Sequence, residues 1–267
     1  MDYIVWDPSP YIVEVGGFAL RWYSTFFAAG FVVGYFILRK FLLEEKVPLK
    51  VLDQLLMYSV IGAILGARIG NCVFYDWDYF STRPLEIILP FTFTPEFQFT
   101  GYRGLASHGG MLGLALAYWI LSWRTGKPYL WFMDKLAVVG VLGVGFIRLG
   151  NLMNSEVLGN ETSVSWAFVF LQRDLIPRHP VQIYSFICYF SLFVFMYWFY
   201  RKNFGKRADG YIAGVSLALL CTVRFLLEFL KEHYVFDPSS PFNMAQYLSI
   251  PFIILGIYFA RKKSPLL

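Results

Sequence analysis

Apolar residues in this chain neither alternate with a period of two nor mark one face of a helix. They run together for about twenty residues at a time, in stretches near 20–42, 54–75, 105–123, 136–153, 181–200, 211–230 and 245–260. A bilayer core takes roughly 20 mostly apolar residues per helix. The pattern therefore predicts an all-α polytopic membrane protein with seven transmembrane helices, built as one transmembrane domain over 1–267. The stretches from 54, 105 and 136 are rich in glycine, which lets helices approach closely in lipid, and are expected in the bundle interior. Val181 to Tyr200 is rich in phenylalanine and carries no charge, so it is expected to face lipid. No internal repeat or low-complexity segment stands out.

Composition agrees. Of 267 residues 57% are hydrophobic and 15% charged, where a soluble domain carries about 25% charged residues. The net charge of +5 does not point to nucleic acid, because the basic residues sit in short segments between apolar runs. Loops 39–53, 124–135 and 201–210 and the tail hold fourteen of them, Lys135 among these; the alternate segments hold Arg83, Arg103, Arg173, Arg178 and Lys231. The positive-inside rule then places the amino terminus outside and the carboxyl terminus in the cytoplasm. The first ten residues lack the basic start of a cleavable signal peptide, so the first span is expected to direct its own insertion. Segments 76–104 and 154–180 fall outside and are long for simple connections, which marks them as lids or binding surfaces. Their aromatics, such as Trp77, Tyr79, Phe80, Phe91 and Phe93, are expected at the membrane interface. Cys72, Cys188 and Cys221 lack metal-ligand spacing and read as small core residues.

Against this background the charges inside the spans are informative. Arg68, His108, Arg148, Arg224 and Glu228 all fall towards the outer end of their spans, as does Tyr23 at the start of the first. Charge in hydrocarbon is costly and marks a functional site by default. Arg148, Asn151, Asn154, Ser155 and Glu156 form the densest polar cluster. Positions 148, 151 and 155 share a face if the helix persists that far. An arginine fork suits phosphate, and asparagine can orient hydroxyls; the plainer reading is an Arg–Glu pair closing a helix end. Arg224 and Glu228, four apart, either pair with each other or hold a phosphate-binding group in place. His108 opens a span beside Gly109 and Gly110, where glycine admits a lipid or a backbone. Histidine can act as a base near neutral pH or simply donate a structural hydrogen bond. His179, between prolines, reads as structural or gating, and His233 as an interfacial surface residue.

No phosphate loop, zinc spacing or nucleophile elbow is present, so no metal and no cofactor is expected. Phosphate-binding chemistry without a nucleotide, at the outer leaflet, points to a phospholipid headgroup. A transporter of a small anionic or phosphorylated solute is the alternative, although transporter sites favour the midplane between repeats.

Several segments resemble those of bacterial prolipoprotein diacylglyceryl transferases, in that family's order and over nearly the whole chain. They are Arg21-Trp22-Tyr23, Gly66-Ala67-Arg68-Ile69-Gly70, His108 to Gly113, Arg148 to Glu156, Pro177 to Tyr184 and Leu248 to Pro251. The resemblance implies seven spans in the bacterial inner membrane and an active site towards the extracytoplasmic leaflet. The implied substrates are phosphatidylglycerol and the lipobox cysteine of a prolipoprotein signal peptide; the implied reaction forms a thioether and releases glycerol 1-phosphate. It makes Arg148 and Arg224 the phosphate-facing arginines and lines the site with His108, Tyr23, Asn151, Asn154, Glu156 and Gly159. Arg68, Gly109, Gly110 and Glu228 join them as substrate-binding candidates. The chain departs from the family pattern at Ile147 and Ser155, where glycine is usual, at Ser185, where glutamate is frequent, and at Leu220, where tyrosine is.

Overall fold

The computed structural model describes residues 3–16, 18–93, 96–99, 104, 106–232 and 240–261. His233, Arg103, Lys262 and Lys263, which entered the sequence reading, lie outside them. The chain is mostly helical. In order, its elements are β1 (Ile4–Trp6), β2 (Tyr11–Val15), β3 (Phe18–Arg21), α1 (Trp22–Glu44), α2 (Leu49–Phe74), α3 (Trp77–Phe80) and α4 (Leu85–Ile88). These are followed by β4 (Phe91–Thr92), β5 (Gln98–Phe99), α5 (Ser107–Thr125), α6 (Tyr129–Met153), β6 (Phe168–Phe170) and β7 (Pro177–Arg178). Helices α7 (Val181–Asn203), α8 (Tyr211–Leu227) and α9 (Met244–Arg261) complete the chain, with a 3-10 turn at Glu228–Leu230.

Among the described residues, six helices are long and apolar enough to cross a bilayer: α1, α2, α6, α7, α9, and α8 taken together with its 3-10 turn. Helix α5 occupies the third expected stretch but is not among the six; it opens on Ser107, His108 and two glycines, which lower its apolar content. The short strands depart from the all-α expectation. β1 pairs in parallel with β6, and β7 pairs antiparallel with β6. The β2–β3 and β4–β5 hairpins stand apart from that sheet.

Two compact units emerge, residues 1–40 with 133–267 and residues 41–132. In the smaller unit α2 packs on α5 along a glycine seam. A methyl group on Gly66 would lie 2.4 Å from the Gly109 carbonyl oxygen, and one on Gly113 would lie 2.1 Å from that of Gly62. Only glycine permits such backbone contact, the usual device of helix pairs in lipid. Beyond Gly62 and Gly113, towards the start of α2, Ser59 and Tyr118 share a hydrogen bond of 2.8 Å. Helix α5 stops at Gly126, whose φ of +68° ends the helix in the left-handed conformation glycine favours.

The larger unit has a similar seam between α8 and α9, where Gly214 and Gly256 face each other. The start of α8 is capped from another helix. The buried Asp134 carboxylate accepts from the N–H groups of Gly210 at 2.9 Å and Ala213 at 2.7 Å, satisfying donors that a helix start leaves unpaired. The next residue corrects the sequence reading. Lys135 lies inside α6, fully buried, with its ammonium 4.4 Å from the Phe204 ring centroid, and is no loop charge. Aromatic faces attract a desolvated cation.

Candidate functional site

The last turn of α6 carries Arg148, Asn151 and Met153, and the helix ends there. It does not persist to residue 155: Ser155 adopts φ +50° and Val157 φ +58°. Left-handed backbone costs a non-glycine residue about 1–3 kcal/mol and clusters at functional sites. Positive φ is the conformation that glycine adopts most readily, and glycine is the residue that the resemblance implies at Ser155. The turn folds the chain back on the helix, so that the Glu156 N–H donates to the Asn151 carbonyl at 2.9 Å.

This reversal brings four candidates together. Arg148 Nη1 donates to Asn151 Oδ1 at 3.3 Å, Asn151 Nδ2 to Glu156 Oε2 at 3.1 Å and Asn154 Nδ2 to Glu156 Oε1 at 3.2 Å. The carboxylate is thus held by two asparagine amides, and no ion pair between it and Arg148 is found among the described residues. Arg148 Nε is buried without a hydrogen-bond partner among the described residues. Tyr23 joins the group because Gly150 lets it: a methyl group there would lie 2.7 Å from the tyrosine ring. Tyr23 lies within electrostatic reach of both Glu156 and Arg148.

Residues that the sequence alone did not place in the site hold the cluster. Gln182, buried, donates through Nε2 to the Glu156 carbonyl at 2.7 Å. Trp6 of β1 donates its indole N–H to the Leu152 carbonyl at 3.0 Å and packs with Phe168. Arg173 Nε donates to the Ser155 carbonyl at 2.8 Å. Gly159 is pressed against the His179 carbonyl, 2.3 Å from where a methyl group would sit, and accepts from Arg178 Nη1 at 3.1 Å. Arg178 also pairs with Asp174 at 2.8 Å and Glu232 at 3.2 Å. Hydrogen bonds from Arg178 hold the Asp174 carboxyl below the usual carboxylate range. His179 is tied to Tyr184 Oη at 3.3 Å, in keeping with a structural role.

The end of α8 supplies the second arginine. Glu228 does not pair with Arg224 among the described residues; it pairs with Lys231, three residues on. Lys231 is nearly enclosed and in electrostatic contact with Arg148 and Arg224 as well as Glu228. Burial pushes its ammonium below the usual lysine range, and the Glu228 carboxylate opposes that. The Arg224 side chain stays exposed. Tyr189 of α7 lies in reach of Arg148, Arg224 and Glu228 alike, so the two arginines share one charged neighbourhood. Backbone bonds stitch this end to the loop after α6, from Asn160 N to the Leu230 carbonyl and from Glu232 N to that of Leu158. Between them lies a cavity of about 390 Å³ lined by Glu156, Arg173, Glu228 and Lys231, among others.

Four candidates belong to the smaller unit. His108 is exposed at the start of α5. Gly109 is taken up by the seam with Gly66 and Gly70, and Gly110 lies against Ala63 and Ala67. Arg68 is buried; Nη2 donates to the Glu86 carbonyl at 2.7 Å and Nε to that of Ile87 at 3.3 Å, with the guanidinium over the Phe80 ring.

The family model described as prolipoprotein diacylglyceryl transferase matches residues 10–261. The chain belongs to this family. It is 43% identical to the phosphatidylglycerol–prolipoprotein diacylglyceryl transferase of Bacteroides fragilis, over 98% of this chain and 97% of that protein. Identity to the enzymes of that name from Chloroherpeton thalassium and Tolumonas auensis is 41% and 36%, covering 96% and 95% of this chain and 92% and 95% of theirs. All the clustered residues, from Tyr23 to Lys231, fall inside the matched region.

Proposed function

We propose that the chain transfers the diacylglyceryl group of phosphatidylglycerol to the lipobox cysteine of a prolipoprotein in the bacterial inner membrane. The transferase activity and the lipid and prolipoprotein substrates follow from family membership and from relatives of that name. The observation that carries the residue roles is the polar turn at the end of α6, where Arg148 bonds Asn151 and leaves Nε without a hydrogen-bond partner among the described residues. Natural proteins seldom leave a buried guanidinium nitrogen unsatisfied, and a phosphate oxygen is a fitting acceptor for it.

In this reading the cysteine sulfur attacks the glycerol carbon that carries the phosphoester. A C–S bond forms, the C–O bond breaks, and its electron pair leaves on the phosphate of glycerol 1-phosphate. Arg148 and Arg224 neutralise the charge that grows there, the task of preorganised cations. Tyr23, Asn151, Asn154, Glu156, Gly159 and Glu228 bind or frame the headgroup. His108 takes the thiol proton, because thiolate is the nucleophile. Gly109 and Gly110 set the helix that presents it, and Arg68 is assigned to the fold, where it orders the segment it bonds, rather than to the headgroup.

The experiment is direct. Protein purified and mixed with phosphatidylglycerol and a lipobox peptide yields a peptide heavier by a thioether-linked diacylglyceryl group. Absence of that mass with an active lipid and an intact thiol would refute the reading. A single domain with seven spans is proposed, α5 being the seventh, with the amino terminus and the segments at 76–104 and 154–180 outside. A thiol label introduced at Ser81 or Thr162 is then reached from outside and one at Lys127 is shielded; the reverse pattern would overturn the orientation.

A further inference from the structure

The segment after α2 reverses the usual distribution of polar and apolar side chains. In α4 and the β4–β5 hairpin the carboxylate of Glu86 points inward, 4% exposed, whereas Leu85, Ile88, Phe97 and Phe99 are each more than 60% exposed. Water-facing loops show the opposite order, since glutamate is almost never fully buried unless paired. Here the inversion is built in. Glu86 accepts from the Tyr79 hydroxyl at 2.9 Å, the Phe93 N–H at 3.1 Å and the Thr92 hydroxyl at 3.3 Å. Phe91 stacks on Phe97 at 5.1 Å and meets Phe99 edge-on at 5.4 Å, which fixes the outward face.

Depth supplies the second observation. From Gln54 to Phe74 the only charge in α2 is Arg68. Those residues span about 31 Å at 1.5 Å each, close to the hydrocarbon thickness of about 30 Å. Arg68 lies six residues before the end of α2, or roughly 9 Å below it. Yet its guanidinium donates to the carbonyls of Glu86 and Ile87. The chain after α2 therefore folds back against the last turns of that helix, within the reach of an arginine side chain. Irregular backbone is tolerated at that depth only where its polar groups are satisfied by protein. Arg68 does this for two carbonyls and Glu86 for the N–H of Phe93. Helix α2 itself carries exposed apolar side chains at Ile61, Ile64, Leu65, Ile69 and Val73.

We propose that residues 84–93 and 96–99 form a re-entrant finger, with Leu85, Ile88, Phe97 and Phe99 packed among lipid acyl chains in the leaflet where α2 ends. Arg68 is its staple. The assignment rests on α2 spanning the membrane and is independent of the transferase reading.

Nitroxide labels test it on the full chain, reconstituted in vesicles of phosphatidylglycerol and phosphatidylethanolamine, with Cys72, Cys188 and Cys221 replaced by alanine. Labels enter at Ile88→Cys and Phe97→Cys, with Ile61→Cys as the lipid reference and Ser163→Cys as the aqueous one. The finger requires collisions with oxygen to exceed those with a water-soluble nickel chelate several-fold at 88 and 97, as at 61. Nickel dominance at both, as at 163, would overturn it. Shielding from both reagents would also overturn it, by showing that protein covers the face. A benzoylphenylalanine at position 97 of the chain with its cysteines intact gives a check free of those replacements: adducts of lipid mass support the finger, and chain-to-chain adducts contradict it.

Discussion

Arg68 and Arg148 both lie within apolar helices, and their donors meet different ends. Arg68 is buried, with bonds to two backbone carbonyls and a ring beneath its guanidinium. Arg148 is half-buried, bonds one asparagine oxygen, and keeps a buried nitrogen without a partner among the described residues. Arg68 behaves as a staple for irregular backbone at membrane depth, while Arg148 is held ready for an acceptor that the protein does not supply. An arginine in a span is thus a functional signal by default, but the fate of its donors decides which function. The glycine seams sharpen the contrast. Gly66 and Gly109 close a tight helix pair, whereas Gly150 opens room for Tyr23 beside a polar turn.

The largest effect expected from this contrast is on turnover. Arg148→Gln removes a charge-assisted donor set, each bond of which is worth about 1.5–3 kcal/mol. Thioether formation should fall at least ~tenfold per bond lost, with little change in thermal stability. Arg68→Gln should do the reverse: carbonyls left without donors cost about 1–3 kcal/mol in stability, while turnover per folded molecule stays near that of the parent. Equal loss of turnover in both variants would erase the distinction.

A smaller, pH-dependent effect is expected at His108. His108→Gln keeps volume and hydrogen bonding but removes the base. If His108 takes the thiol proton, the variant loses activity at neutral pH and recovers part of it at higher pH, where more thiol ionises unaided. Impairment that is equal at every pH would assign His108 to positioning the headgroup and leave thiol activation to Arg148 and Arg224.

Much of the fold was legible because a bilayer demands long apolar runs. The run expected at 181–200 appears as Val181–Asn203 and that at 245–260 as Met244–Arg261. The run at 136–153 falls short of the helix because Lys135, next to Asp134, reads as a loop charge. Both are buried in α6, one capping α8 and the other against aromatic rings, with partners far along the chain that no local pattern reveals. The strands escaped for the same reason: β1 is a short piece of apolar chain whose partner begins at Phe168. In the candidate site, Arg148, Asn151 and Glu156 were readable as a dense polar cluster. The turn that folds Glu156 back onto the asparagines was not, because serine and valine rarely adopt positive φ. Lys231 read as a loop charge, although its spacing of three from Glu228 was a usable hint of the pair that forms.

The central claim is that Arg148 keeps its donors for a lipid phosphate while Arg68 has committed its own to the fold. Thermal unfolding of the parent, Arg148→Lys and Arg68→Lys, each with and without added phosphatidylglycerol, tests it most directly. Lysine keeps the charge and discards the planar fork. The account predicts that phosphatidylglycerol raises the unfolding midpoint of the parent and of Arg68→Lys by similar amounts, and that of Arg148→Lys by much less, even though Arg68→Lys starts from the lower midpoint. Full stabilisation of Arg148→Lys by the lipid, or its loss in Arg68→Lys, would contradict that assignment.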